Sequence, residues 1–238
     1  MTTAVDTLKK MAGEKAAEYV ESGMVVGLGT GSTAVYATLA IGQKLQDGRL
    51  QHILGIPTSE QTARQAREAG IPLTTLDDNP VIDLTIDGAD EIDPDLNLIK
   101  GLGGALLREK IVAAASKQMI IVGDERKVVT QLGTLAPVPV EVIRFAQRPL
   151  REFLTSLGAQ VALRLDRETE ARPFITDEGN IILDCTFPGG IPAPAALAQT
   201  LIAQPGVVEH GLFLGLATLA VVASPQSVRL LKRTTSGE

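Results

Sequence analysis

The sequence predicts an α/β fold, a Rossmann-like parallel-sheet domain joined to a smaller ferredoxin-like α+β domain. Three observations carry this. From Met24 to Val122, short apolar runs alternate with helix-length segments, the pattern of strands and crossover helices in a parallel sheet. The core must be aliphatic, because Trp is absent and aromatics make up only 3 %, as suits a sheet buried on both faces. At Gly133–Pro139 (GTLAPVP) two prolines break the rhythm, and the order of elements changes beyond them. The 238 residues are enough for one medium domain and one small one.

The elements follow from local patterns. Val5, Leu8, Met11, Ala12, Ala16, Tyr19 and Val20 recur at helical spacing, and Gly23 stops that helix. Met24–Leu28 reads as a strand, followed by a Gly/Thr/Ser turn and a helix from about Ser32 to Gln46. Ile53–Ile56 is the next strand. Thr58 and Gln61 form an expected capping box for a helix ending before Gly70. Leu84–Ile86 is a strand, Asp87–Asn97 an acidic loop, Ala105–Ser116 a helix and Met119–Val122 a strand. Past the prolines come strand Val140–Ile143, helix Pro149–Leu157, strands Gln160–Leu165 and Ile181–Cys185, helix Ala195–Ala203 and strand Val207–Phe213. That is β-α-β-β-α-β, the ferredoxin-like order. Ala217–Ala223 is then a strand returning to the first domain, and the tail after Lys232 is polar and frayed. The expected division is residues 1–133 plus 214–238 as the Rossmann-like catalytic domain and 134–213 as the small domain.

Composition narrows the function. The net charge is −6, which argues against nucleic-acid or anionic-membrane partners. An anionic ligand would need a local field from a few Lys or Arg and from helix N-termini. Cys185 is the only cysteine, so no intrachain disulfide is possible, which suits a reducing, cytoplasmic compartment. Met1–Lys10 lacks the basic-then-apolar pattern of a signal peptide. The apolar run Gly211–Ser224 is shorter than the roughly 20 residues that span a bilayer, and reads as buried strand.

Four segments could carry chemistry. Gly27–Thr33 (GLGTGST) joins a strand to a helix. Its glycines let backbone N–H groups approach an anion, and the helix N-terminus adds positive potential. No Lys precedes the Ser/Thr, so this is no Walker loop, and Ser32 stands where a dinucleotide fingerprint needs its third Gly. The turn reads equally well as a tight strand–helix connection. Asp87–Glu91 (DGADE) sits at a strand's carboxyl end, where α/β ligands bind, although a solvated acidic turn looks the same. The run Asp93–Asn97 begins like a calcium loop but has Leu98 and Gly104 where Gly and Glu are needed. Lys100–Lys110 (KGLGGALLREK) is a second glycine turn feeding a helix. There Glu109 shares a face with Ala105, Val112, Ala113 and Ser116. A carboxylate on that face loses hydration, which raises its pKa toward that of a general base, although a charged surface helix is the simpler reading of one Glu. Asp124–Lys127 (DERK) follows another strand.

His52 and His210 stand far apart with no His-rich cluster, which argues against a metal-dependent hydride-shift isomerase; the expectation is an enzyme with no metal and no cofactor. No G-x-S-x-G elbow is present. Cys185 reads as a buried structural thiol.

In this order, GLGTGST, DGADE and KGLGGALLREK, with APVPVEVI and DEGNIILD beyond them, closely resemble the A-type ribose-5-phosphate isomerases over nearly the whole chain. The resemblance implies metal-free interconversion of ribose 5-phosphate and ribulose 5-phosphate through an enediolate, in the non-oxidative pentose phosphate pathway, usually as a homodimer. It implies substrate contacts at Thr30, Gly31, Ser32 and Thr33, at Asp87, Gly88, Ala89 and Asp90, and at Lys100, Gly101, Leu102 and Gly103. Lys127 and Lys9 are implied as well. Glu109 matches the proton acceptor. Lys100 is expected to stabilise the enediolate, while Asp87 and Asp90 handle hydroxyl protons and ring opening. Leu102 breaks an all-glycine loop and Leu107 replaces a Thr, departures that spare every charged group. The readings weighed against this one are a related sugar-phosphate isomerase or lactonase, and a sugar-phosphate sensor, which would need no base at position 109.

Overall fold

A computed structural model describes residues 3–166 and 169–233. The first half runs α1 (Ala4–Ala16), β1 (Val25–Leu28), α2 (Ala34–Gln46), β2 (Leu54–Pro57), α3 (Glu60–Glu68), β3 (Ile82–Gly88), β4 (Glu91–Ile92), β5 (Leu98–Ile99), α4 (Leu106–Ala114) and β6 (Ser116–Asp124). The second half runs β7 (Val138–Val142), α5 (Gln147–Ser156), β8 (Gln160–Leu163), β9 (Ile181–Thr186), α6 (Pro194–Ile202), β10 (Val207–His210), β11 (Leu212–Phe213), β12 (Leu219–Ala223) and β13 (Val228–Leu231).

A six-stranded sheet has the order β13-β12-β6-β3-β1-β2 and is parallel except for the β12–β13 edge pair. Its strands other than the edge strand β13 are largely apolar on both faces, and side-chain alternation sorts them. On β6, Ile120 and Val122 join the core formed with Ala12, Ala16, Ala37 and Ile41 of α1 and α2. Met119 and Ile121 face the opposite core, with Leu106 and Ala113 of α4. A four-stranded antiparallel sheet, β10-β7-β9-β8, carries α5 and α6 and has the ferredoxin-like strand order. A three-stranded antiparallel ribbon, β11-β5-β4, takes β4 and β5 from between β3 and β6 and β11 from between β10 and β12. Among the described residues no helix is long and apolar enough to cross a membrane.

Several expectations need correction. The helix after β2 is capped by Ser59, whose Oγ accepts the Thr62 N–H at 3.0 Å. Thr58 instead donates its hydroxyl to the Leu28 carbonyl. The 87–97 stretch is not simply a loop, because its first residues extend β3 and Glu91–Ile92 pairs with Leu98–Ile99. Val207–Phe213 is not one strand. At Gly211 the chain leaves the small sheet, donating to Pro139 O at 2.7 Å while accepting from Lys100 N at 2.9 Å, and β11 pairs with β5. Strand β13 has no strong apolar alternation (VRLL) and escaped the sequence reading; it forms because β12 offers it an open edge. The tail after Lys232 falls almost wholly outside the described residues.

Glu91, read from sequence as part of an acidic turn, is fully buried. Its carboxylate accepts the backbone N–H groups of Gly133, Leu135 and Ala136 at 2.6, 2.5 and 2.7 Å. It thereby satisfies the turn that launches β7. Glu91→Gln replaces one acceptor oxygen by a donor facing other donors, and should cost on the order of 3 kcal/mol in urea unfolding. A loss under about 0.5 kcal/mol would show that the anchor is dispensable.

Candidate active site

At the carboxyl ends of β1, β3 and β6, backbone groups run out of sheet partners and the α2 N-terminus contributes positive potential. A cavity of about 550 Å³ opens there. It is lined by Lys9 of α1, the turn Thr30–Thr33, Gly88–Asp90 after the body of β3, Lys100–Gly103 after β5, Glu109 of α4, and Lys127 after β6. Of the residues expected to meet a ligand, Asp87 alone is outside the lining. Its fully buried carboxylate touches three of the lining residues, Thr30, Gly88 and Lys100.

The chemistry concentrates where β3, the Lys100 turn and α4 meet. Asp87 Oδ1 accepts the N–H groups of Thr30 at 3.2 Å and Gly88 at 2.7 Å. Gly29 is what lets the β1 turn come this close, because a Cβ there would fall 2.3 Å from that same oxygen. The Lys100 ammonium, 2 % exposed, donates to Gly88 O at 2.6 Å and to Glu109 Oε1 at 3.1 Å. It also lies 3.0 Å from Asp87 Oδ2, a charge contact not aligned as a hydrogen bond. Its turn is sharp, with Gly101 at φ +101°, and its backbone N–H is tied to Gly211. Glu109 is buried, and its second oxygen, Oε2, has no hydrogen-bond partner among the described residues.

Two carboxylates thus share one ammonium out of water. Burial raises the Glu109 pKa to about 8. The Lys100 charge opposes that rise and Asp87 adds to it. Burial likewise raises Asp87 above the usual carboxylate range against the pull of Lys100. Burial works against the Lys100 charge, but the facing carboxylates outweigh it and hold the ammonium above its ordinary pKa.

The rest of the lining is rich in basic side chains and hydroxyls. Lys9 stands 3.9 Å from Asp6, and Lys127 stands 3.9 Å from Asp90, each partly exposed. Thr30 Oγ1 meets the hydroxyls of Thr58, Ser59 and Thr62 at 2.7, 2.8 and 3.0 Å, which fixes the turn's geometry. Sequence reading misses this cluster and misses Gln61 and Gln65 in the lining; from the candidate segment Asp124–Lys127 it singles out Lys127 alone, whereas Asp124 and Arg126 line the cavity too. The two glutamines carried a signal, one turn apart on a helix that follows a strand. Arg126 bonds Asp124 at 2.7 and 3.0 Å and holds that carboxylate below its usual range. Cys185 is buried away from the cavity, and burial pushes its thiol up to about 12. His210 is also buried, driven down to about 4 by burial and the nearby Lys110. Among the described residues no group of three or more His, Cys, Asp or Glu is arranged to hold a metal ion.

Fold and site together define an α/β protein with an enzyme-like cavity at the carboxyl ends of its parallel strands, where two buried carboxylates face one lysine. Residues 54–227 match the family described as ribose 5-phosphate isomerase A (phosphoriboisomerase A), and the chain belongs to that family. The chain is 55 % identical over 220 residues to the ribose-5-phosphate isomerase A of Roseiflexus castenholzii, spanning 92 % of this chain and 93 % of that one. A solved D-ribose-5-phosphate isomerase in complex with phospho-erythronic acid superposes with a TM-score of 0.94 at 42 % identity, covering 97 % of this chain and 100 % of that one. The ribose 5-phosphate isomerase from Plasmodium falciparum gives 0.92 at 41 %, covering 96 % and 99 %.

Proposed function

We propose that this chain interconverts D-ribose 5-phosphate and D-ribulose 5-phosphate through an enediolate, with Glu109 as the proton-transferring base. The observation that carries the reading is Glu109 Oε2, a buried carboxylate oxygen without a partner in the wall of an otherwise polar cavity. Its family membership and the sugar-phosphate isomerases it resembles support the substrate. So does the relative that holds a phosphorylated sugar acid.

In this reading the phosphate rests against the Thr30–Thr33 turn, Lys9 and Lys127, which places C1 and C2 of the open-chain sugar beside Glu109. The carboxylate takes the C2 proton and the electron pair moves onto the C1 carbonyl oxygen. A hydroxyl proton passes from O2 to O1 with Asp90 as relay, and Glu109 returns its proton to C1. Lys100 supplies the fixed positive charge for the enediolate. Asp87 keeps Lys100 charged and Thr30 in place. No metal or other cofactor is assigned a step.

The division into a catalytic domain (1–133 plus 214–238) and a small domain (134–213) belongs to the same reading. It is supported by the six-stranded sheet drawing only on strands outside the small segment. Cytoplasmic residence and assembly as a homodimer belong to it too. Buried, unpaired Cys185 fits a reducing compartment, and the almost fully exposed Phe145 ring offers a second copy an apolar anchor.

A coupled assay with ribose 5-phosphate in the presence of EDTA tests the function, run in heavy water to follow exchange. Turnover that survives the chelator, with solvent deuterium entering the product, is expected. Turnover abolished by EDTA and restored by a divalent ion, with no deuterium incorporated, would replace proton transfer by hydride shift.

A further inference from the structure

The turn that carries Lys100 is gripped from behind by a residue of the neighbouring sheet. Arg164, just past β8, donates from Nη1 to the carbonyls of Gly101 at 2.7 Å and Leu102 at 3.3 Å. The rest of its guanidinium is doubly bonded to Asp184 of β9, through Nε at 2.9 Å and through Nη2. The two side chains are only 11 % and 20 % exposed, so the pair is largely out of water. The Arg164 backbone is tied as well, donating to Ile182 O and accepting from Phe174 N.

A trans peptide points its C=O and N–H in opposite directions, and every described peptide bond is trans. Carbonyls drawn outward to Arg164 therefore turn the N–H groups of Leu102 and Gly103 inward. The Leu102 N–H donates to Asp90 Oδ2 at 3.0 Å. The Gly103 N–H meets no acceptor among the described residues, and Gly103 lines the cavity. A cation on the carbonyl side of a peptide also polarises it, which makes the N–H a stronger donor.

We infer that Arg164 is a positioning residue for the reaction: by holding the Gly101 and Leu102 carbonyls it aims the Gly103 N–H, and through the Leu102 N–H the Asp90 carboxylate, at the reacting oxygens of the sugar. The inference rests on the isomerase reading above. It assigns a catalytic consequence to a side chain that lies outside the cavity. The planar fork is essential, because a lysine at 164 can keep the charge contact with Asp184 but cannot reach both carbonyls as well.

The test compares Arg164→Ala and Arg164→Lys with the wild type in one isomerase assay, with thermal melting of each. Removing a donor aimed at the transition state costs about 10²-fold, so Arg164→Ala should lose about that in kcat, with KM within about threefold. Arg164→Lys, which keeps the ion pair and hence the fold, should still lose about tenfold in kcat. Guanidinium at tens of millimolar should restore Arg164→Ala by about tenfold without moving its melting temperature, while ammonium should not. A merely structural rivet would show its loss in melting temperature and gain nothing from guanidinium. Folded variants with wild-type kcat, or a loss of kcat that guanidinium leaves untouched, overturn the inference. A wild type with no isomerase activity overturns it together with the functional reading. An active wild type beside an unimpaired Arg164→Ala overturns this inference alone.

Discussion

Glu109→Gln is expected to lower kcat by about 10³–10⁴-fold while leaving binding of the sugar phosphate nearly unchanged. The amide has the shape of the carboxylate and can still accept from Lys100, so the cavity wall should persist. What it cannot do is take a proton at the position of Oε2. Steady-state kinetics with a binding measurement on the same variant checks this, and near-normal turnover would remove Glu109 from the mechanism. The pH profile gives a second handle. A base must be ionised, and burial sets Glu109 at about 8, so kcat/KM of the wild type should rise about tenfold per pH unit below that value and level above it. A solvated glutamate would level near 4.5 instead. The same raised pKa makes a stability statement. The folded state binds this proton more tightly than the unfolded state does, so its contribution is complete below about pH 4.5 and is lost as pH climbs through about 8. An amide at this position does not titrate, so Glu109→Gln should gain in stability relative to wild type across that window, seen as a melting-temperature difference that grows with pH.

Lys100→Met should be the more damaging change overall. It removes the one ammonium that faces both Asp87 and Glu109 in the dry floor of the site. Loss of the fixed charge beside the developing enediolate alone should lower kcat by about 10²–10³-fold. Without Lys100, both carboxyl pKa values climb further, so the ionised share of Glu109 at neutral pH, already small with its pKa at about 8, shrinks again and the deficit deepens. Breaking one partner out of a buried ionic cluster costs about 3–5 kcal/mol when the remaining charges cannot escape. Here they can escape by taking up protons. The destabilisation should therefore be largest near pH 9 and shrink toward pH 5, the direction expected for carboxyls whose folded pKa is raised. Urea unfolding at those two pH values decides the point; an equal loss at both would mean that Asp87 and Glu109 do not respond to Lys100.

Much of the site was legible before the fold. The ordered set of GLGTGST, DGADE and KGLGGALLREK placed Thr30, Asp90, Lys100 and Glu109, and all four line one cavity. The sequence puts Glu109 on a small apolar helix face, and Ala105, Val112 and Ala113 of that face are buried with it, while Ser116 falls beyond the helix in β6. The residues missed are those whose role depends on a partner far along the chain. Nothing local marks Thr58, Ser59 and Thr62 as the seat of Thr30, or Glu91 as the acceptor for a turn more than 40 residues later. Within the candidate segment Asp124–Lys127 the sequence singles out only Lys127, because it takes the folded turn to show that Arg126 reaches the cavity too.

By itself the sequence determined most of the strands and helices, though not β4, β5, β13 or the break between β10 and β11, and which glycine turns and charged residues could serve a phosphate sugar. Those are matters of period, backbone freedom and side-chain chemistry, all local to a few residues. Only the tertiary structure decided where the chain changes sheet at Gly211, that β13 closes an edge, and that Lys100 rather than water answers Asp87 and Glu109. Hydrogen-bond partners and local dielectric are set by neighbours that folding brings from distant positions. Whether a carboxylate is a surface charge or a base near pH 8 therefore belongs to the packed protein and not to its spelling.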